Sequence, residues 1–151
     1  MYQNILVPVD GSATANLGLD EAVKLARLTS GRIRLVHVID ELSMMVGLEW
    51  GAAMPLNALQ QLRDGGQAIL EAATSRVRKQ GVEVDTVLID NLSSRVADQV
   101  LRQAAEWPAE LIVLGTHGRR GLPRLLMGSD AEQIIRLATM PVLMVRGAAK
   151  S

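Results

Sequence analysis

Cysteine is absent from the 151 residues, so neither a disulfide framework nor a thiolate metal site can be built. Phenylalanine is absent too, and Tyr2, Trp50 and Trp107 make up the whole aromatic complement. A core must therefore be packed from Leu, Val, Ile, Ala and Met, which the 48% hydrophobic content supplies. No sign of charge prevails, since Lys plus Arg and Asp plus Glu each total 16; nothing global steers the chain to nucleic acid or to an anionic membrane. No apolar stretch approaches the roughly 20 residues of a membrane span, so membrane insertion is not expected. The opening Met1-Tyr-Gln-Asn enters an apolar run at once, without the basic and apolar regions of a signal peptide. The expectation is a soluble cytoplasmic protein with one domain over 1–151, since domains commonly run about 100–200 residues.

What is present alternates. Gln3 to Val9 is a short aliphatic run closed by Pro8-Val-Asp10-Gly11-Ser12, which reads as a first strand ending in a turn. Ala15, Leu19, Ala22, Val23 and Ala26 repeat at helical spacing up to Gly31, and Arg32 to Val38 forms a second strand. From Ile39 to about Pro55 periodicity fails, predicting a long loop, or a loop with a short helix, in which Met44, Met45 and Met54 cover core. Leu56 to Lys79 is helical in pattern, with Gly65-Gly66 as a point where it can kink. Val82 to Ile89 alternates as a third strand, and Asp90 to Ser94 reads as a turn into a cap for a helix that must end by Trp107-Pro108. Leu111 to Leu114 is a fourth strand stopping at Gly115, Ala131 to Ala138 a fourth helix, and Val142 to Val145 a fifth strand. Five strands alternating with four helices imply repeated βαβ units and a parallel sheet covered on both faces. The pattern leaves strand order open.

One stretch is empty of acid. Between Leu111 and Ser129 there is no Asp or Glu, while Gly115, Gly118, Gly121 and Gly128 alternate with His117, Arg119, Arg120 and Arg124. Glycines allow close approach of backbone to a ligand and cations favour an anion, a pairing suited to phosphate. Ser129-Asp-Ala-Glu132 before an aliphatic run is a capping-box signature, whose free N–H groups would complete an anion site. Taken alone, Ser129 fits a plain cap, His117 an exposed loop histidine, Asp10 a turn former before Gly11, and His37 a satisfied core or edge histidine.

The spacing Gly115, two residues, Gly118, nine residues, Gly128-Ser129 resembles the nucleotide-binding signature of the universal stress protein family, in its ATP-binding subgroup. Ile5-Leu-Val-Pro-Val-Asp10-Gly-Ser, Leu35-Val-His-Val-Ile-Asp40 and Pro141-Val-Leu-Met-Val-Arg146 are similar to that family's segments as well, so the resemblance covers nearly the whole chain. It implies an α/β fold, a three-layer open sheet of five parallel strands in order 3-2-1-4-5 with four helices, adenine nucleotide alpha hydrolase-like. It further implies adenosine contacts from Asp10, Pro8, Val9 and the backbone of Val38, with Ser12 also in the nucleotide site and Leu114-Gly115 at the ribose or first phosphate. His117, Gly118, Arg119, Gly128, Ser129 and Asp130 would surround the phosphates, with magnesium or manganese as the metal that could accompany ATP. Asp130 departs from an expected apolar residue: it suits the helix dipole yet repels a phosphate on the same N-terminus unless it points away or binds a divalent cation.

The resemblance implies a regulatory ATP-binding protein in stress response, not an enzyme, hydrolysing ATP slowly if at all. Its homodimer would pair fifth strands through Val142 to Val145, and the regulated partner, a transporter or an enzyme, stays open. A Walker loop is absent, and Gly115-x-x-Gly118-x-x-Gly121 has the wrong spacing for a dinucleotide fingerprint. FMN would want aromatic partners that are scarce here. A phosphorelay receiver is the rival from another class, because Asp10, Asp90 and Thr116 mimic its layout; Gly11 and Arg146 stand where that reading needs an acid and a lysine.

Overall fold

The computed structural model describes residues 1–40, 57–91, 94–116 and 128–147. Its strands are β1 (Asn4–Pro8), β2 (Arg32–Asp40), β3 (Glu83–Asn91), β4 (Leu111–Thr116) and β5 (Val142–Arg146). Its helices are α1 (Ala13–Thr29), α2 (Ala58–Arg78), α3 (Val96–Glu106) and α4 (Ser129–Leu137). All pairings are parallel and the order is β3-β2-β1-β4-β5, as the resemblance implied. The predicted loop carrying Met44, Met45, Trp50 and Met54 lies outside the described residues.

Side chains alternate across the sheet. Ile5, Val7, Ile33, Leu35, Leu111 and Val113 face α1 and α2, where they meet Leu19, Val23, Leu70 and Val77. Leu6, Val36, Ile112 and Leu114 face α3 and α4 and meet Ala97, Val100, Trp107 and Ile134. The central strands are buried on both faces, which is why they read as unbroken aliphatic runs. β5 ends the sheet and is half-buried from Val142 to Val145.

Several boundaries differ from the sequence reading. β4 continues through Gly115 to Thr116, because β5 pairs with it as far as Arg146 and the Thr116 hydroxyl lies 3.4 Å from Val145 O. β2 and β3 extend each other to Asp40 and Asn91 by the same mutual pairing. α2 runs without a break through Gly65-Gly66. Gly66 is a packing requirement, since a Cβ there would stand 2.7 Å from His37 Cδ2. The α1 C-cap residue in left-handed conformation is Ser30 (φ 55°), with Gly31 N–H then donating to Ala26 O at 2.9 Å.

The layers meet most closely where α1 crosses β4. A Cβ on Gly115 would stand 1.8 Å from Thr14 O, and one on Gly18 would stand 2.8 Å from Gly115 N. Both obstacles are backbone, so neither can swing aside. Polar ties fix the remaining elements: Asp20 of α1 binds Arg76 of α2 (Oδ1 to Nε, 2.6 Å), and Arg34 is held by Asp85 at 2.7 Å while lying over Trp107. The Asp20 carboxyl is lowered from its ordinary value first by its hydrogen bond from Arg76 and then by that residue's charge. Glu110 accepts from the backbone N–H of Gln3 and of Asn4, clasping the start of β1 to the start of β4, and these bonds lower its carboxyl from the ordinary 4.5.

Gly115→Ala should destabilise the fold by about 1–3 kcal/mol or more, since overpacking against rigid backbone is not relieved by rotamer change; urea unfolding with an unchanged m-value would check it. The clasp predicts an acid effect. Glu110 has a depressed folded-state pKa, so its contribution is complete above the ordinary value of 4.5 and is lost as pH falls through the folded value below it. Glu110→Gln should therefore lower the urea midpoint at pH 7 slightly, with the gap to the parent closing as both are titrated into acid below that point.

Candidate functional site

The strand order reverses between β1 and β4, and a cavity of about 580 Å³ opens beyond their carboxyl ends. Such a switch point is where open α/β sheets accept ligands. Its size falls in the range of small-molecule pockets, about 300–1,000 Å³.

The first wall is the turn from β1 to α1. Val9 N–H donates to Val36 O at 2.9 Å, carrying the β1–β2 pairing one residue past the strand. His37 Nδ1 lies 2.7 Å from Val9 O, and since a carbonyl only accepts, Nδ1 carries the proton. Asp10 Oδ1 accepts from Ser12 N–H at 2.9 Å across Gly11, whose φ of +82° the tight turn demands. Ser12 then caps α1, its hydroxyl accepting from Ala15 N–H at 3.2 Å. Asp10 is thus both turn former and cavity wall, exposed to whatever enters. The first turn of α1 holds no acidic residue to oppose an anion.

The second wall is the end of β4 and the start of α4. Leu114, Gly115 and Thr116 line it, facing Gly128, Asp130, Ala131 and Ile134. The expected capping box is not formed. Gly128 is the N-cap residue of α4, with no side-chain cap bond, and Ser129 is already the first helical residue. Glu132 pairs with Arg136 one turn on at 3.3 Å rather than reaching back to a cap. Val96 likewise begins α3 behind Arg95 with no side-chain cap bond, so the turn at Asp90 to Ser94 does not cap it as expected, and Leu92 and Ser93 lie outside the described residues. Asp90 is ion-paired to Arg63 on edge strand β3, with β2 between it and β1.

Of the residues singled out from sequence, Pro8, Val9, Asp10, Ser12, Val38, Leu114, Gly115, Gly128 and Asp130 line this one cavity. Ser129 stands beside it without lining it. His117, Gly118, Arg119, Arg120, Gly121 and Arg124 lie outside the described residues. Among the described residues no group of three His, Asp or Glu is gathered for a metal.

The family model of the universal stress protein family matches residues 1–146. The chain belongs to the universal stress protein family. Universal stress protein MJ0531 of Methanocaldococcus jannaschii is 31% identical over 146 residues, covering 97% of this chain and 83% of the relative. A universal stress family protein from Burkholderia pseudomallei has a solved structure with TM-score 0.73 and 32% identity, covering 95% of this chain and 96% of that one. The Archaeoglobus fulgidus universal stress protein solved in complex with dAMP has TM-score 0.67 and 26% identity, covering 95% and 97%.

Sequence reasoning missed the third wall. His37 of β2 and Gln61, Leu62, Gly65, Gly66 and Ile69 of α2 also line the cavity, as do Val96 and Val100 of α3. The tandem glycine was the available signal: two poor helix formers inside a helix call for a reason beyond propensity. Because Ser12 ties the first wall to α1, Ser12→Ala should lower stability by about 0.5–2 kcal/mol, the usual cost of a lost N-cap; the shift in urea midpoint measures it.

Proposed function

We propose that this universal stress protein binds an adenine nucleotide, ATP, in the switch-point cavity and acts as a regulatory protein in stress response. The observation that carries the reading is the convergence of Pro8, Val9, Asp10, Val38, Leu114 and Gly115, singled out as nucleotide contacts, on one cavity. The residues fit the ligand. Val38, Leu114 and Val96 give the cavity an apolar lining, Asp10 a carboxylate acceptor for sugar hydroxyls or an amino group, and Gly115 and Gly128 bare backbone for close approach. The dAMP held by the Archaeoglobus fulgidus relative supports an adenine nucleotide.

Phosphates would extend toward Gly128, Ser129 and the glycine loop holding His117, Gly118 and Arg119. Asp130 lines the cavity there, which favours a phosphate bridged by magnesium or manganese over a bare one. ATP when bound supplies three phosphates whose charge that loop would hold; the chain's own residues bind and orient it, and any hydrolysis is slow. The chain works as one domain of residues 1–151 in the cytoplasm. Half-buried β5 at the sheet edge supports a homodimer formed by pairing Val142 to Val145, which would cover unpaired backbone and apolar side chains together. The nucleotide-bound dimer presents a surface to a partner such as a transporter or an enzyme.

Acid extraction of the purified protein, with the released compound identified by chromatography and mass spectrometry, tests the reading. Adenine nucleotide in stoichiometric amount is the expected result, with a dimer in sedimentation of the same sample at micromolar concentration. An empty extract, together with no heat of ATP binding in the presence of magnesium or manganese, would overturn the ligand; a monomer would overturn the dimer.

A further inference from the structure

We propose that Gln61 on α2 is the residue by which the cavity distinguishes a 6-amino purine from a 6-oxo purine. The inference rests on the adenine-nucleotide reading above and deepens it. Gln61 belongs to the first turn of α2, its N–H closing on Asn57 O at 2.9 Å, and it lines the cavity. Among the described residues its carboxamide makes no hydrogen bond. Its neighbours on the helix are committed: Gln60 to Asp64 at 2.9 Å, and Arg63 to Asp90 of β3 with Nε to Oδ2 at 2.6 Å. The start of α2 is therefore anchored to the sheet, while the Gln61 carboxamide, unbonded among the described residues, lines the cavity.

Gly65 lies one turn further along the same stripe and also lines the cavity. Nothing among the described residues lies within 4 Å of where its Cβ would stand, whereas Gly66 beside it is required by His37. A glycine inside a helix lowers its stability relative to alanine, and at Gly65 no contact among the described residues explains the loss. Its bare backbone makes a ledge on which a planar ring can lie, with the Gln61 carboxamide at the ring's edge.

The chemistry then selects the base. Adenine presents a 6-amino donor beside the N7 acceptor, a pair that the Gln carboxamide meets with its oxygen and its NH₂. A 6-oxo purine presents two acceptors at that edge, so the carboxamide oxygen would lose its water and gain no partner. That mismatch is what lets a hydrogen-bonding site reject an analogue strongly.

Calorimetric titration of the full chain with ATP and with ITP, repeated on Gln61→Leu and Gly65→Ala, tests this. The parent should bind ATP at least about tenfold more tightly than ITP, and Gln61→Leu should lose most of that preference. Gly65→Ala should melt at a higher temperature yet bind ATP several-fold more weakly, a split that a purely structural glycine would not produce. A parent indifferent to ATP and ITP, an undiminished preference in Gln61→Leu, or full ATP affinity in a stabilised Gly65→Ala would overturn the inference while leaving nucleotide binding intact. Failure of the parent to bind either nucleotide would take down the adenine-nucleotide reading as well.

Discussion

The contact on which the molecule depends is the meeting of α1 with the end of β4, backbone against backbone. Gly115 and Gly18 lack side chains where a single carbon would strike Thr14 O or Gly115 N. The absence of both Cβ atoms lets the first turns of the helix settle onto the strand end instead of riding a side chain's width above it. Because α1 begins immediately after the β1 turn, that same contact holds the turn close to the end of β4. The cavity lies beyond those ends.

Around this fixed point the other walls are held by different forces. The turn from β1 is pinned from three sides, by Val36 O, by His37 and by the Asp10–Ser12–Ala15 chain of hydrogen bonds. α2 is held by exposed ion pairs, Asp20–Arg76 and Arg63–Asp90, which in water contribute about 0–1 kcal/mol each. Its apolar stripe of Leu70, Ala73 and Val77 supplies the larger share of its attachment.

Reading from sequence failed in ways that have physical causes. The five strands and four helices of the described residues were legible because each buries a face or a stripe, and burial dictates apolar period. Their ends were less so: β4 was expected to stop at Gly115, yet its neighbour β5 supplies partners for two more residues. Ser129 and Glu132 have the composition of a capping box, but the chain enters α4 one residue earlier, through Gly128. Gly65-Gly66 suggested a kink because propensity is local, whereas His37, distant in sequence, is what makes Gly66 necessary.

The sequence by itself determined the class of fold, the alternation of its elements, the family to which the chain belongs and one arc of the cavity, Pro8, Val9, Asp10 and Ser12 with Leu114 and Gly115. These are properties written in spacing, since burial period and glycine spacing survive without knowledge of contacts. Tertiary structure alone decided the α2 wall, where His37, Gln61 and Gly65 come together from segments that share no motif. It also decided that Asp10 serves its own turn and the cavity at once. The reason is the sheet order: a parallel crossover brings distant strand ends side by side, and which helix then overhangs the gap depends on packing that no local pattern encodes.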